Sequence, residues 1–375
     1  MERRLKEENI VLENVMEMQK RIDKRRDKFL ESNNKENILI DQCLPEHTKI
    51  LTDRGLKDLD TLQIGDIIFS LDIEKDELVK NKVLKKEIFN YNDNMINFKN
   101  DGIDILIASN HKILNKSAIY INKIKYYEWE YTQIKDLRVI HSLVFPLTSI
   151  YKGYKSISID LAKLLGWVLT DGCFHNDKRC NYQDVQISQS SVKINYVNEI
   201  RSILENLKIY FREYKIKYIN GYTENKYQDR FMYCFCIPKN WNKKIREIIP
   251  GKKPTYDLLN LIYEERLALY NAMISGDGNR YYYSNKLYLP EESFIQKDKK
   301  TLDWFEMLVL SIGKVPTRGN TKISVKKMNT IGFRKSNFHP KSIHYIGRVW
   351  GIISEKSNFI AHQNNKYFIA SNSNF

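Results

Sequence analysis

Two stretches of this chain repeat one another, and that repeat constrains the fold more than any other feature of the sequence. LAKLLGWVLTDG ends at Asp171-Gly172 and is followed by polar strand-like runs, by ISQSS (187–191) and by a helical pattern, VKINYVNEIRSILENL. RLALYNAMISGDG ends at Asp277-Gly278 and is followed by tyrosine-rich strand-like runs, by FIQKD (294–298) and by a helical pattern, KTLDWFEMLVLSIG. Gln189 stands 18 residues after Asp171, and Gln296 stands 19 after Asp277. A shared element order with a shared offset predicts one supersecondary unit used twice.

The endings of the two apolar helices carry the chemistry. Gly166 and Ala272 are small residues on otherwise apolar helices, which lets the helices pack closely across a pseudo-twofold axis. Asp171 and Asp277 then converge at one end. Carboxylates at helix C-termini oppose the helix dipole, so the pair needs a compensating cation. A divalent metal with oxygen ligands, Mg²⁺ above all, meets that need and is suited to hydrolysing a phosphodiester. A single Asp-Gly reads first as a helix stop with glycine in the left-handed region; two copies inside the strongly basic segment favour the chemical reading.

Charge places the repeat near a polyanion. The chain of 375 residues has 61 Lys+Arg against 46 Asp+Glu, net +15. Residues 1–42 are net 0, 43–150 net −1, 151–335 net +13 and 336–375 net +3. Of the 24 tyrosines, 17 also fall in 151–335. Cations interleaved with flat polar-tipped rings suit nucleic acid, ahead of an anionic membrane. Lys322, Lys326 and Lys327 in TKISVKK are phosphate-contact candidates, since cations on a DNA-facing strand need no special geometry. The N-terminus carries charges where a signal peptide needs an apolar run, and no later stretch has the length of a membrane span, so a cytoplasmic protein is expected. Five cysteines, at spacings of neither a disulfide framework nor a paired zinc site, predict free thiols.

The flanks have a different texture. Residues 1–42 lack Gly and Pro and read as one charged amphipathic helix. From Cys43 short β-type runs begin (KILTDRGL, IIFSLDI, KVLKKEIFNY, DILIASNHKIL), and the same texture returns after Gly347 in RVWGIIS, NFIAH and KYFIAS. The order β, then α/β, then β predicts a multidomain chain in which one domain is inserted into another.

LLGWVLTDG (164–172) and YNAMISGDG (270–278) resemble the paired motifs of single-chain LAGLIDADG homing endonucleases over about 158–335. The resemblance implies an α+β domain of two pseudo-symmetric αββαββα repeats, a monomer that cuts double-stranded DNA, and Mg²⁺ held by Asp171 and Asp277. One departure stands out: REIIP (246–250) puts Glu247 where the family often has lysine, leaving Lys244 or Arg246 as substitutes.

Cys43 at the start of the first β segment, His111 in IASNHKIL and Asn372-Ser373 at the end of the last one together resemble the splicing domain of an intein, the all-β, horseshoe-like Hint fold. The implied organisation is an N-extein fragment at 1–42, Hint segments at 43–150 and 336–372, the endonuclease at 151–335 and a C-extein fragment at 373–375. The implied chemistry is attack of the Cys43 thiol on the Gln42 carbonyl, protonation of the departing nitrogen by His111, acyl transfer to Ser373 and cyclisation of Asn372, with the extein polypeptide as partner in cis and no cofactor. Departures cluster at the last step. Ala108, Gly351, Ser357 and Ser371 stand where the family commonly has threonine, an acid or cysteine, histidine and histidine, and His362 is the substitute imidazole considered. Two alternatives remain open at this point: a DNA-binding relic without catalysis, and an autoprocessing domain that cleaves without ligating.

Overall fold

A computed structural model describes residues 43–100, 102–121, 124–137, 139, 143–177, 182–217, 231–281, 292–334, 336 and 338–371. The helix expected over 1–42, together with Asn372 and Ser373, lies outside the described residues. These divide into two compact units. One is built from residues before Asp76, from Val79–Leu147 and from Thr330 onward; the other from Asp76–Leu78 and Thr148–Asn329. No helix of the described residues is long and apolar enough to cross a membrane.

The first unit is antiparallel sheet, and its two sequence stretches interleave. Strand Leu44–Pro45 pairs with Lys341–Ser354, which runs beside Glu77–Lys99 from Lys341↔Asn97 to Ser354↔Val83. Asn358–Gln363 lies between Lys49–Thr52 and Lys366–Ser371, and Lys366–Ser371 in turn meets Lys112–Ile121. Asn364 and Asn365 both take positive φ (48° and 61°), the backbone that a tight hairpin with the native strand twist requires. The rings of Phe98, Phe145 and Phe333 meet at 4.6–5.5 Å, so the core too draws on both stretches. Neither stretch buries its apolar face without the other.

The second unit contains α1 (Ile159–Asp171), α2 (Ile194–Asn206), α3 (Lys239–Ile248), α4 (Tyr263–Asp277) and α5 (Lys299–Ser311). Two four-stranded antiparallel sheets accompany them in matching order: Gly172–Asp177, Tyr182–Ser190, Phe231–Ile237, Arg212–Lys217, and then Gly278–Arg280, Glu292–Ile295, Lys322–Lys326, Val315–Arg318. The repeat of the sequence is thus visible as structure, with one correction. The first copy runs αββαββα, whereas the second ends at its fourth strand, because four residues after Lys326 the chain enters strand Thr330–Phe333 of the other unit.

The helices α1 and α4 lie side by side and run the same way. Glu265, in the first turn of α4, is buried and accepts from Ser156 Oγ (2.6 Å) and from the backbone N–H groups of Ile157 (3.0 Å) and Ser158 (2.8 Å) at the start of α1. A carboxylate there complements the N-terminal dipole of α1, and it holds Ser158 at φ +103°, a conformation side chains rarely adopt. At mid-helix a Cβ added to Gly166 would lie 2.6 Å from Ala272 Cβ and 2.8 Å from the Leu269 carbonyl oxygen. Near the far end, one added to Gly276 would lie 2.2 Å from Thr170 Oγ1. The small residues allow a backbone approach that no larger side chain permits. Gly166→Ala is therefore expected to destabilise this unit by about 1–3 kcal/mol in denaturant unfolding, and adding Ala272→Gly to recover part of that loss.

Candidate functional site

The parallel packing brings the two C-termini together, so Asp171 closes α1 beside Asp277, which closes α4. The glycines that follow are extended, Gly172 at φ −82° and Gly278 at φ −111°, and not left-handed as a simple helix stop would have them. Close approach explains them instead: a Cβ on Gly172 would lie 2.3 Å from the Val168 carbonyl oxygen, and one on Gly278 2.7 Å from that of Ser293.

Each carboxylate has its own amide. Gln189 Nε2 donates to Asp171 Oδ2 at 3.0 Å, and Gln296 Nε2 donates to Asp277 Oδ2 at 3.4 Å. Gln189 Oε1 accepts from the N–H of Ser190 (2.9 Å) and Gln296 Oε1 from that of Lys297 (2.8 Å), which fixes which end of each amide faces its acid. The pair is electrostatically costly. Burial, then the neighbouring Asp277, push the Asp171 carboxyl up to about 6, and burial likewise raises Asp277.

Lys193 and Lys252 pull the other way. The Lys252 ammonium donates to the Thr170 carbonyl at 2.8 Å. Burial lowers its pKa against the attraction of Asp277, Cys173 and Asp171. Gly251 and Lys252 both take positive φ (64° and 58°), and the strained turn they form carries the lysine to the acids. Sequence reasoning missed this residue. The substitutes it offered are engaged elsewhere: Lys244 lies over the Trp241 ring (4.6 Å), and Arg246 lies over Phe174 (4.4 Å) and donates to the His175 carbonyl (3.1 Å). The only signal for Lys252 was the Pro250-Gly251 turn before it.

Among the described residues no three His, Cys, Asp or Glu side chains converge as a metal cluster. Two acceptor-only carboxylates that disfavour their own charge nevertheless fit a hard divalent cation whose remaining ligands are water or phosphate. A soft metal finds no matching donor set there.

Ile323 and Val325 are buried while Lys322 and Lys326 alternate with them, so the two lysines share the opposite face of their strand; Lys327 lies just beyond it and is exposed. Lys322 Nζ donates to Tyr281 OH at 3.2 Å. On the other sheet the Arg212 guanidinium lies 5.6 Å from the Tyr214 ring, and Tyr214 OH donates to Gln186 Oε1 at 3.0 Å.

In the first unit, Cys43 is fully buried against Met95, Ala108 and Val349. Its carbonyl accepts from the N–H of Ala108 (3.3 Å), and the Ala108 carbonyl accepts from the N–H of His111 (2.9 Å). Ser371 Oγ donates to the Lys112 carbonyl, and Ala370 pairs with Ile113. The turn that bears the buried His111 is therefore bonded to Cys43 on one side and to Ser371 on the other. His362 does not take part. It pairs with Tyr367 at the opposite end of the hairpin from the Asn358↔Ser371 pair, about 13 Å away along the strand.

No protein-family model and no curated protein matches the chain. Among solved structures, mesophilic variants of the homing endonuclease I-DmoI are matched at 14% identity over 45% of this chain and 88% of that one, with a TM-score of 0.32. The homing endonuclease I-WcaI, bound to its DNA recognition sequence, is matched at 17% identity over 47% of this chain and 78% of that one, with a TM-score of 0.31. A bacterial intein-like domain from Clostridium thermocellum is matched at 18% identity over 27% of this chain and 64% of that one, with a TM-score of 0.21.

The raised acids give a stability prediction. Because Asp171 binds its proton more tightly folded than unfolded, its contribution favours the fold below the unfolded pKa and is lost as pH rises through about 6. Without divalent metal, Asp171→Asn should raise stability at pH 8 by on the order of 1–3 kcal/mol and flatten the decline between about pH 4 and 7, read by thermal unfolding in chelator.

Proposed function

We propose that the chain is a self-excising protein-splicing element that carries a site-specific, Mg²⁺-dependent double-strand DNA endonuclease. The observation that carries the nuclease reading is the meeting of two half-buried, mutually repelling carboxylates, each held by its own glutamine, beside Lys252. Asp171 and Asp277 would hold the metal, which when bound supplies Lewis-acid polarisation of the phosphodiester and charge stabilisation at the leaving oxygen. Gln189 and Gln296 keep the carboxylates aimed. Lys252 offsets their charge and offers a cation to a phosphate. Lys322, Lys326 and Lys327, with Arg212 on the other sheet, would contact the DNA backbone.

The splicing reading rests on the turn 108–112, bonded on one side to Cys43 and on the other to Ser371, with His111 between. The Cys43 sulfur would attack the Gln42 carbonyl carbon, forming a thioester as the bond to the Cys43 nitrogen breaks, and His111 would supply that nitrogen with its proton. Ser373 Oγ would then take the acyl group. Asn372 cyclisation would free the joined flanks, and the ester would rearrange to an amide. In this reading residues 43–147 and 330–372 form the splicing domain and 148–329 the nuclease.

Two experiments test the two halves. Incubated with Mg²⁺ and DNA carrying the uninterrupted coding junction, the protein should cut both strands; Asp171→Asn or Asp277→Asn should lower cleavage at least about 100-fold while DNA binding persists. Binding without cutting by the parent would instead support a relic that only binds. Expressed under reducing conditions, the parent should yield a product running from Cys43 to Asn372 together with the ligated flanks, by mass spectrometry. Cys43→Ala combined with Asn372→Ala should leave the full chain intact, and release of fragments without ligation would identify an autoprocessing domain.

A further inference from the structure

One edge of the first unit's sheet is open. Strand Lys341–Ser354 runs beside Glu77–Lys99 in unbroken register from Lys341↔Asn97 to Ile353↔Lys85, and on its other side it pairs only with Leu44–Pro45, at Trp350 and Val349. The Glu46 N–H donates to the Arg348 carbonyl at 3.1 Å, so the Arg348 backbone faces away from Glu77–Lys99. In an antiparallel strand the N–H and C=O groups of every second residue point to the same side. Those of Ile346, His344 and Ser342 therefore point outward as well, and among the described residues none of them has a hydrogen-bond partner.

Nothing in the local sequence blunts this edge. Residues 341–347 (KSIHYIG) hold no proline and no bulge, and their one formal charge is Lys341. Two β-branched side chains stand out from opposite faces of the strand, Ile343 at 42% and Ile346 at 71% exposure.

The edge is also complementary to itself. With a second copy laid antiparallel about His344, Ser342 meets the partner's Ile346 and His344 meets its own counterpart, each pair exchanging two N–H···O bonds between the outward groups. Ile343 then stands opposite the partner's Tyr345, a β-branched and aromatic pair of the kind that stabilises sheets. Lys341 stands opposite the partner's Gly347, and the two lysines end about 20 Å apart, so no cation is set against a cation. One charge in seven residues gives a charged peptide little to recognise.

We propose that Lys341–Gly347 is a self-association edge, through which two copies of the chain join their sheets with twofold symmetry. It depends on neither the splicing nor the nuclease reading. A joint of this length buries less than a standard stable interface, so the dimer is weak and forms as concentration rises.

Sedimentation equilibrium and amide hydrogen exchange of the full-length chain, without DNA, test this together. Across the micromolar range the average mass should climb towards that of a dimer. The N–H groups of Ser342, His344 and Ile346 should exchange more slowly as it does, while those of Ile343 and Tyr345, which face Glu77–Lys99, should not change. Ser342→Pro removes an outward N–H that the chain itself does not use, and Ile346→Lys places a charge on the edge. Each should weaken association at least about tenfold and leave thermal unfolding of the dilute protein unchanged. A parent that stays monomeric, whether its edge amides exchange freely or are protected at every concentration by some other occupant, would overturn the proposal. So would a dimer that both variants leave intact.

Discussion

The contact between α1 and α4 is the constraint from which the second unit follows. Two apolar helices that share a direction must also share a dipole direction, and their negative ends meet. Placing a carboxylate on each end compounds the cost, and the upward shifts of Asp171 and Asp277 are its signature. The arrangement persists because Leu165, Val168, Leu169, Leu269, Ala272 and Met273 of the two helices are buried, and because Glu265 stabilises the other end of α1. An isolated fold would gain by replacing either acid. Two such acids, each with a glutamine and with a lysine held in a strained turn beside them, have the pattern of a site that trades stability for chemistry.

The first unit answers to a different constraint. Its sheet is completed only when strands from Thr330 onward slot between strands from the N-terminal stretch, so the 182 residues between Thr148 and Asn329 form, in effect, a long loop in its chain. Loop-closure entropy grows only with the logarithm of length, and a loop with its own core orders itself independently of the closure. Interleaving also explains how residues at the two extremes of a long segment, Cys43 and Ser371, come to bond the same short turn.

Much of this was legible in the sequence, and the misses have physical causes. Both acids were recognisable because a helical apolar pattern ending in Asp-Gly appears twice at a matched offset, and Gly166 and Ala272 because a small residue on an apolar helix face has few other uses. Lys252 was hidden because its position depends on two consecutive left-handed residues, and only Gly251 advertises that conformation. The reason for Gly172 was not legible, since an extended residue pressed against a neighbouring carbonyl leaves the same letter in the sequence as a left-handed cap. The seventh element expected of the second repeat fails because the segment after Lys326 is drawn into a strand of the other unit, a non-local pairing that periodicity does not report. His362 was proposed from proximity in sequence, whereas hairpin geometry puts residues close in sequence at opposite ends of a strand.

The two candidate sites require opposite surroundings, which gives the uneven charge of the chain a physical meaning. Paired acids that disfavour their own charge profit from lysines and arginines nearby, and residues 151–335 supply them at net +13. The Cys43 thiol is packed among Met95, Ala108 and Val349, in a core of apolar side chains. What positions that thiol is the turn 108–112, to which the Cys43 carbonyl is hydrogen-bonded. Residues 43–150 are net −1, in keeping with a site governed by hydrogen bonds and packing.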